Sequence, residues 1–389
     1  MQTSPLRYLA SGVVVGAAAA ALVVGLARPA GSQTSPASAG AKADVVGTVG
    51  HPVKPLVRKA RRALQRQAAT PDVQKARPGP DSRTPAEMPE PSNPSDPLWG
   101  ESWSLSKVHA PAAWRLTSGT ADTVVAVLDT GVDRGHADLQ GSFVAGWDAV
   151  NEDADPTDDH GHGTLVAGVV AARSNNGIGA VGACPRCSLM PVKVIGANGA
   201  GSADDIAEGI SWAADHGAGV INMSFAMTGP DDGVAAAIAY AQGRGVLIVA
   251  AAGNAGTPDV TFPAAYAGVL SVAATDQTDE RYSWSSYGGW VRLAAPGCSI
   301  ATVPGGTYAD FCGTSSATAL VSGLAALIRS YAPTMTVEAL GRALAANALR
   351  VGDFVSAGRV DVEAAVESLT PTGPASERVD SSTPAGRPD

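Results

Sequence analysis

Positive charge is scarce along most of this chain. Of 389 residues, 27 are Lys or Arg against 36 Asp or Glu, a formal net charge of −9. Nine of the basic residues fall within positions 44–95 beside only five acidic ones, which leaves positions 96–389 strongly acidic. A surface of that sign repels a phosphate backbone, so nucleic acid is excluded as a partner. Aromatic residues are few, 5% of the chain, while Gly (45) and Pro (27) are plentiful. About 270 residues of this character suffice for one large α/β core and not for two catalytic domains. Cysteine is also sparse, four in all. None stands near His160 or His162 with ligand spacing and no third His is at hand, so a metal reading of that pair fails.

The first segment directs the chain outward. Arg7 precedes an uncharged run from Tyr8 to Ala27, rich in Ala, Val and Gly. Residues 1–43 read as a signal peptide, with small-residue sites such as Ala37-Ser38-Ala39 for cleavage, or as an N-terminal membrane anchor. Either way the expected location is secreted or cell-surface. Residues 44–96 read as a Pro-rich basic linker or short pro-segment, in which Leu56, Ala60 and Leu64 alone carry helical spacing. Residues 97–369 form the globular domain, and the polar, Pro/Ser-rich stretch 370–389 reads as a disordered tail.

Four short runs carry the chemistry. Asp129 ends the apolar stretch Thr123-Val124-Val125-Ala126-Val127-Leu128 and precedes Thr130-Gly131. A carboxylate there sits at a buried strand's carboxyl end, where ligand groups collect in α/β sheets; alone, it also reads as a turn Asp. His162 lies in His160-Gly161-His162-Gly163-Thr164-Leu165-Val166-Ala167-Gly168, at the start of a helix. Asn254 closes a second buried strand, Val246 to Ala251, and could donate to an oxyanion or simply form a turn. Ser315, in Gly313-Thr314-Ser315-Ser316-Ala317, stands where a turn enters a helix. The unpaired N–H groups of a helix start suit an oxyanion beside a hydroxyl, yet Ser is equally the ordinary helix cap.

Taken together and in this order, these runs resemble the subtilisin-like (subtilase) serine protease family, from about Pro97 to about Leu369, with Val220-Ile221-Asn222-Met223-Ser224 and Phe262-Pro263 also in place. The resemblance implies a serine endopeptidase of α/β class: a three-layer sandwich, a mostly parallel sheet with helices on both faces. It further implies Ser315 as nucleophile, His162 as base, Asp129 as its orienter and Asn254 as oxyanion donor, with no metal or cofactor required. Ser224, Phe225 and Ala226 would form one wall of the substrate cleft, against which an extended peptide pairs as an added strand. Thr261 would lie at the floor of the pocket for the residue before the scissile bond, where the absence of an acidic side chain predicts a neutral, small-to-medium or apolar preference. Protein or peptide substrates and a monomer are expected. The rival reading is a non-catalytic homologue that only binds peptides.

The chain departs from the family pattern at Leu165, where a second His is usual, at Ser316, where Met is usual, and at Ala319, commonly Pro. The last predicts an altered helix start or rate. The basic segment is also shorter than the folded inhibitory propeptide many secreted members carry.

Four cysteines in an exported chain predict two disulfides. Cys298 with Cys312 would brace the loop leading to Ser315, and Cys184 with Cys187 would form a local clip; a redox role for Cys184-x-x-Cys187 is disfavoured because no helix follows it. Gly177-Ile178-Gly179-Ala180-Val181-Gly182 spells a dinucleotide fingerprint without a strand before it or a helix after it, and is rejected. Asp153, Asp155, Asp158 and Asp159 read as a hydrated acidic loop, with structural calcium as the alternative. Strands are predicted at 123–128, 189–195, 219–223, 246–251 and 269–273, and helices at 203–216, 234–242, 337–346 and 362–369.

Overall fold

The computed structural model describes residues 93–227 and 229–369, together with the two-residue strand β1 (Val23–Val24). Beyond that pair, the expectations for 1–43, 44–92 and 370–389 lie outside the described residues.

Eight strands, the central ones apolar runs that leave no polar face to turn to water, form one sheet. They are β2 (Val124–Asp129), β3 (Trp147–Asp148), β4 (Ser188–Lys193), β5 (Val220–Met223), β7 (Leu247–Ala251), β8 (Leu270–Thr275), β9 (Leu293–Pro296) and β12 (Gly358–Arg359). The order is β12-β9-β8-β7-β5-β2-β4-β3, and every pairing is parallel. Within β2, Val125 and Val127 enter one hydrophobic cluster while Ala126 and Leu128 enter another. Both faces are therefore covered, as parallel sheets require.

Helices supply the covers. On one face lie α1 (Trp103–Lys107), α2 (Ala110–Trp114), α3 (His162–Ala171), α6 (Thr314–Tyr331), α7 (Val337–Ala346) and α8 (Val362–Glu367). On the other lie α4 (Ala203–Asp215) and α5 (Asp232–Gly243). Side chains set their starts: Ser202 accepts the N–H of Asp205 at 3.1 Å, and Asp231 that of Val234 at 3.0 Å, which opens α5 ahead of the predicted Val234. Helix α6 is buried along its whole length from Thr314 to Ile328, so it runs through the core and not over it. Among the described residues no helix is long and apolar enough to cross a membrane.

Two smaller pairings complete the fold: β1 beside β6 (Ala226–Met227), and the antiparallel hairpin β10 (Cys298–Val303) with β11 (Thr307–Cys312). Cys298 and Cys312 face each other in that hairpin and are bonded, as are Cys184 and Cys187. The folded unit starts earlier than proline content indicates. Pro94 is buried, and the buried Asp96 carboxylate accepts the N–H groups of Asn175 (2.7 Å) and Asn176 (3.2 Å), so residues 93–96 belong to the domain and not to a linker.

From β2 the chain passes to the edge strand β3 and back to β4 on one side, and later to β5 on the other. The carboxyl ends of the strands part at this switch point and leave a crevice there.

Candidate active site

Asp129 closes β2 and is fully buried. Its Oδ1 accepts the N–H of Thr130 and the Nδ1–H of His162, each at 2.8 Å. That bond needs the first turn of α3 to lie against the end of β2. Gly163 permits it: a Cβ there would fall on the carbonyl oxygen of Gly131 and stand 3.1 Å from the Asp129 Cβ. Burial of the His162 ring disfavours its cation, but the charge and hydrogen bond of Asp129, with the charge of Asp158, outweigh it and raise its pKa above the ordinary 6.5. The Phe311 ring meets the imidazole edge to face, 5.4 Å between centroids.

Ser315 is not the helix cap. Gly313 holds that position, and no side chain caps α6. The Ser315 hydroxyl instead donates to the carbonyl of Ser224, 2.9 Å away, and the Ser224 hydroxyl donates back to the Ser315 carbonyl at 3.1 Å. Asn222 supports Ser224 from behind, donating to its hydroxyl at 2.9 Å while accepting from Ser322 at 3.0 Å. Helix α6 runs unbroken through Ala319, so the absence of proline leaves its start regular.

Asn254 is not merely a turn residue either. Its Oδ1 accepts both the N–H and the hydroxyl of Thr314, each at 2.9 Å, which fixes the amide and leaves Nδ2 as its free donor end. Nδ2 lies 3.5 Å from where a Cβ on Gly313 would stand, so glycine keeps the space beside Ser315 open.

Residues 224–226 follow directly on β5, between the strands that carry Asp129 and Asn254. Ser224 and Phe225 are buried, and only Ala226 is partly exposed, so this wall presents main chain and not side chains. Thr261 donates to the Ala252 carbonyl at 2.8 Å and turns its methyl toward Gly253. It therefore stands beside the Asn254 turn.

The acidic loop is exposed at Asp153, Asp155 and Asp159, and its carboxylates are also bonded to protein groups. Asp153 accepts the N–H of Asp155 (2.8 Å), Asp155 pairs with Arg134 (3.2 Å), Asp159 with the buried Lys193, and Asp158 is bonded into the start of α3. No group of three or more His, Cys, Asp or Glu suited to a metal ion occurs among the described residues. Lys193 has no signal in the sequence, and Asp158 reads there only as a member of the acidic loop; an Asp shortly before a helix is a capping signal that points to its role at the start of α3. Cys184 and Cys187 are buried in the loop before β4, and residues 177–182 form a loop with neither strand nor helix attached.

The parallel α/β sheet thus carries a bonded Asp129–His162 pair at the end of β2, a Ser315 hydroxyl that caps no helix, and an Asn254 amide anchored by Thr314. Residues 120–377 match the subtilase family, and the chain belongs to it. Thermitase from Thermoactinomyces vulgaris is 40% identical over 277 residues, 70% of this chain and 99% of that protein. Subtilisin Savinase from Lederbergia lenta is 41% identical over 270 residues, 68% of this chain and 97% of that protein. A solved protease structure from Pseudoalteromonas arctica superimposes with a TM-score of 0.67 at 30% identity, covering 71% of this chain and 99% of that one.

Proposed function

We propose that this endopeptidase cleaves peptide bonds through Ser315, His162 and Asp129, with Asn254 assisting. Ser315 Oγ attacks the scissile carbonyl while His162 takes its proton, forming a tetrahedral oxyanion. Asn254 Nδ2 and the Ser315 N–H stabilise that charge. Collapse expels the amine, which receives the proton from His162 and leaves an acyl-enzyme that water hydrolyses by the same route. Asp129 holds the ring with Nδ1 protonated, so Nε2 is the basic nitrogen. None of these steps requires a metal or cofactor.

The observation that carries this reading is the 2.8 Å Asp129–His162 bond at the end of β2, supported by the bonds that hold Asn254 to Thr314, next to Ser315. The main chain at 224–226 supports an extended substrate added as a strand, and Thr261 supports a neutral, small-to-medium or apolar residue before the cleaved bond. A peptide library cleaved mainly after Lys or Arg would sink that preference. Export to a secreted or cell-surface location and action as a monomer complete the reading.

Labelling by a fluorophosphonate probe tests the assignment. Labelling of the parent protein that disappears in Ser315→Ala is expected; equal labelling of both overturns it, and so does no labelling of the processed parent.

A further inference from the structure

We propose that Asp158 is a positioning residue for the base, an inference resting on the assignment of His162 above. Its carboxylate bridges the two segments that must meet. Oδ1 accepts the Thr130 hydroxyl (2.8 Å) and the N–H groups of Gly161 (2.7 Å) and His160 (3.1 Å). Oδ2 accepts the N–H (2.9 Å) and the hydroxyl (2.5 Å) of Thr164. Thr130 follows Asp129 directly, and residues 161–164 are the first turn around His162. One carboxylate thus pins the strand end carrying Asp129 to the helix start carrying its partner.

Thr130 is the shared node. Its N–H goes to Asp129 (2.8 Å), its hydroxyl oxygen accepts the Gly163 N–H (2.9 Å), and its carbonyl accepts Lys193 Nζ (2.8 Å). Lys193 is only 2% exposed and is balanced by Asp159. Any slip of α3 along β2 therefore breaks several bonds together. Without Asp158 the N–H groups of the helix start lose their acceptor, and His162 loses its fixed place opposite Asp129.

The same group acts on His162 through space. The charges bearing on the imidazole are Asp129 from β2 and Asp158 from the preceding loop; the Lys193 ammonium is bonded to the Thr130 carbonyl and paired with Asp159, and the Phe311 ring brings none. Asp158→Asn removes one of two carboxylates favouring the imidazolium, and its NH2 cannot accept from donors that surround the site.

Steady-state kinetics over pH on the processed enzyme test this. Asp158→Asn is expected to lose roughly 10- to 100-fold in kcat with KM changed less than about threefold, as for a misplaced catalytic group. Its acid limb should move to lower pH. A kcat within about twofold of the parent, or a lowered kcat with the acid limb unmoved, overturns the proposal. Should Asp158→Asn fail to fold, Thr130→Val removes one arm of the clamp and keeps both charges: a lowered kcat with an unmoved acid limb supports the role, and parental kcat overturns it. A parent without Ser315-dependent labelling would instead overturn the assignment of the base itself.

Discussion

The Ser315 hydroxyl rests on the main-chain carbonyl of Ser224, 2.9 Å away. That carbonyl, just beyond β5, belongs to the wall on which an added substrate strand would pair. On the proposed mechanism the resting nucleophile and the substrate backbone would seek the same acceptor, and pairing would release the hydroxyl toward His162.

A peptide whose N–H to Ser224 is replaced by an ester oxygen should therefore lose roughly tenfold in kcat/KM, about the worth of one hydrogen bond, with most of the loss in kcat. Parallel kinetics on the amide and ester pair check it. A loss confined to KM would separate binding from release of the hydroxyl.

Asn254→Ala removes the donor that Thr314 holds in place. We expect kcat to fall roughly 100- to 1000-fold, the usual effect of losing one oxyanion donor, with little change in KM. Thr314→Val, which frees the amide without deleting it, should lose less in the same assay.

The pH dependence follows from His162. Its pKa is raised above 6.5, and the base must be neutral, so kcat/KM should fall as pH drops through a midpoint above 6.5. Asp129→Asn should move that midpoint down. For stability the sign is opposite to activity: a raised histidine pKa stabilises the fold fully below the unfolded value and ceases to do so as pH rises through the folded one. Thermal melting of Ser315→Ala should show this acid-side gain relative to Ser315→Ala/His162→Ala, and equal melting of the two at low pH would contradict it.

Ser316 carries a buried hydroxyl with no hydrogen-bond partner. Replacing it with Ala removes the unpaired group, and the Ser315→Ala/Ser316→Ala protein should be more stable than Ser315→Ala by about 1 kcal/mol in denaturant unfolding. Reduced stability would mean that the hydroxyl is satisfied in solution.

Much of the fold is legible residue by residue. The run Val124 to Leu128 is apolar throughout because helices cover both faces of β2, and Ser202 and Asp205 mark the start of α4. Less legible were residues 93–96, where Asp96 reaches a loop 79 residues away, and Asp158, whose five donors come from two parts of the chain, Thr130 and residues 160–164. Composition reports average polarity. It is silent on which acceptor a given carboxylate will meet.

The sequence by itself determined the chemical groups and their local settings: a carboxylate at a strand's end, a histidine at a glycine-flanked helix start, a serine within a helix's first turn. Neighbouring residues alone decide these through backbone preference and burial. Only the tertiary structure decided their meeting, since Asp129 and His162 lie 33 residues apart, Asn254 and Thr314 60, and Ser224 and Ser315 91. The order β7-β5-β2 makes three distant strand ends adjacent, and the buried α6 carries Ser315 to them. That order arises from the packing of whole layers, which no single stretch of chain encodes.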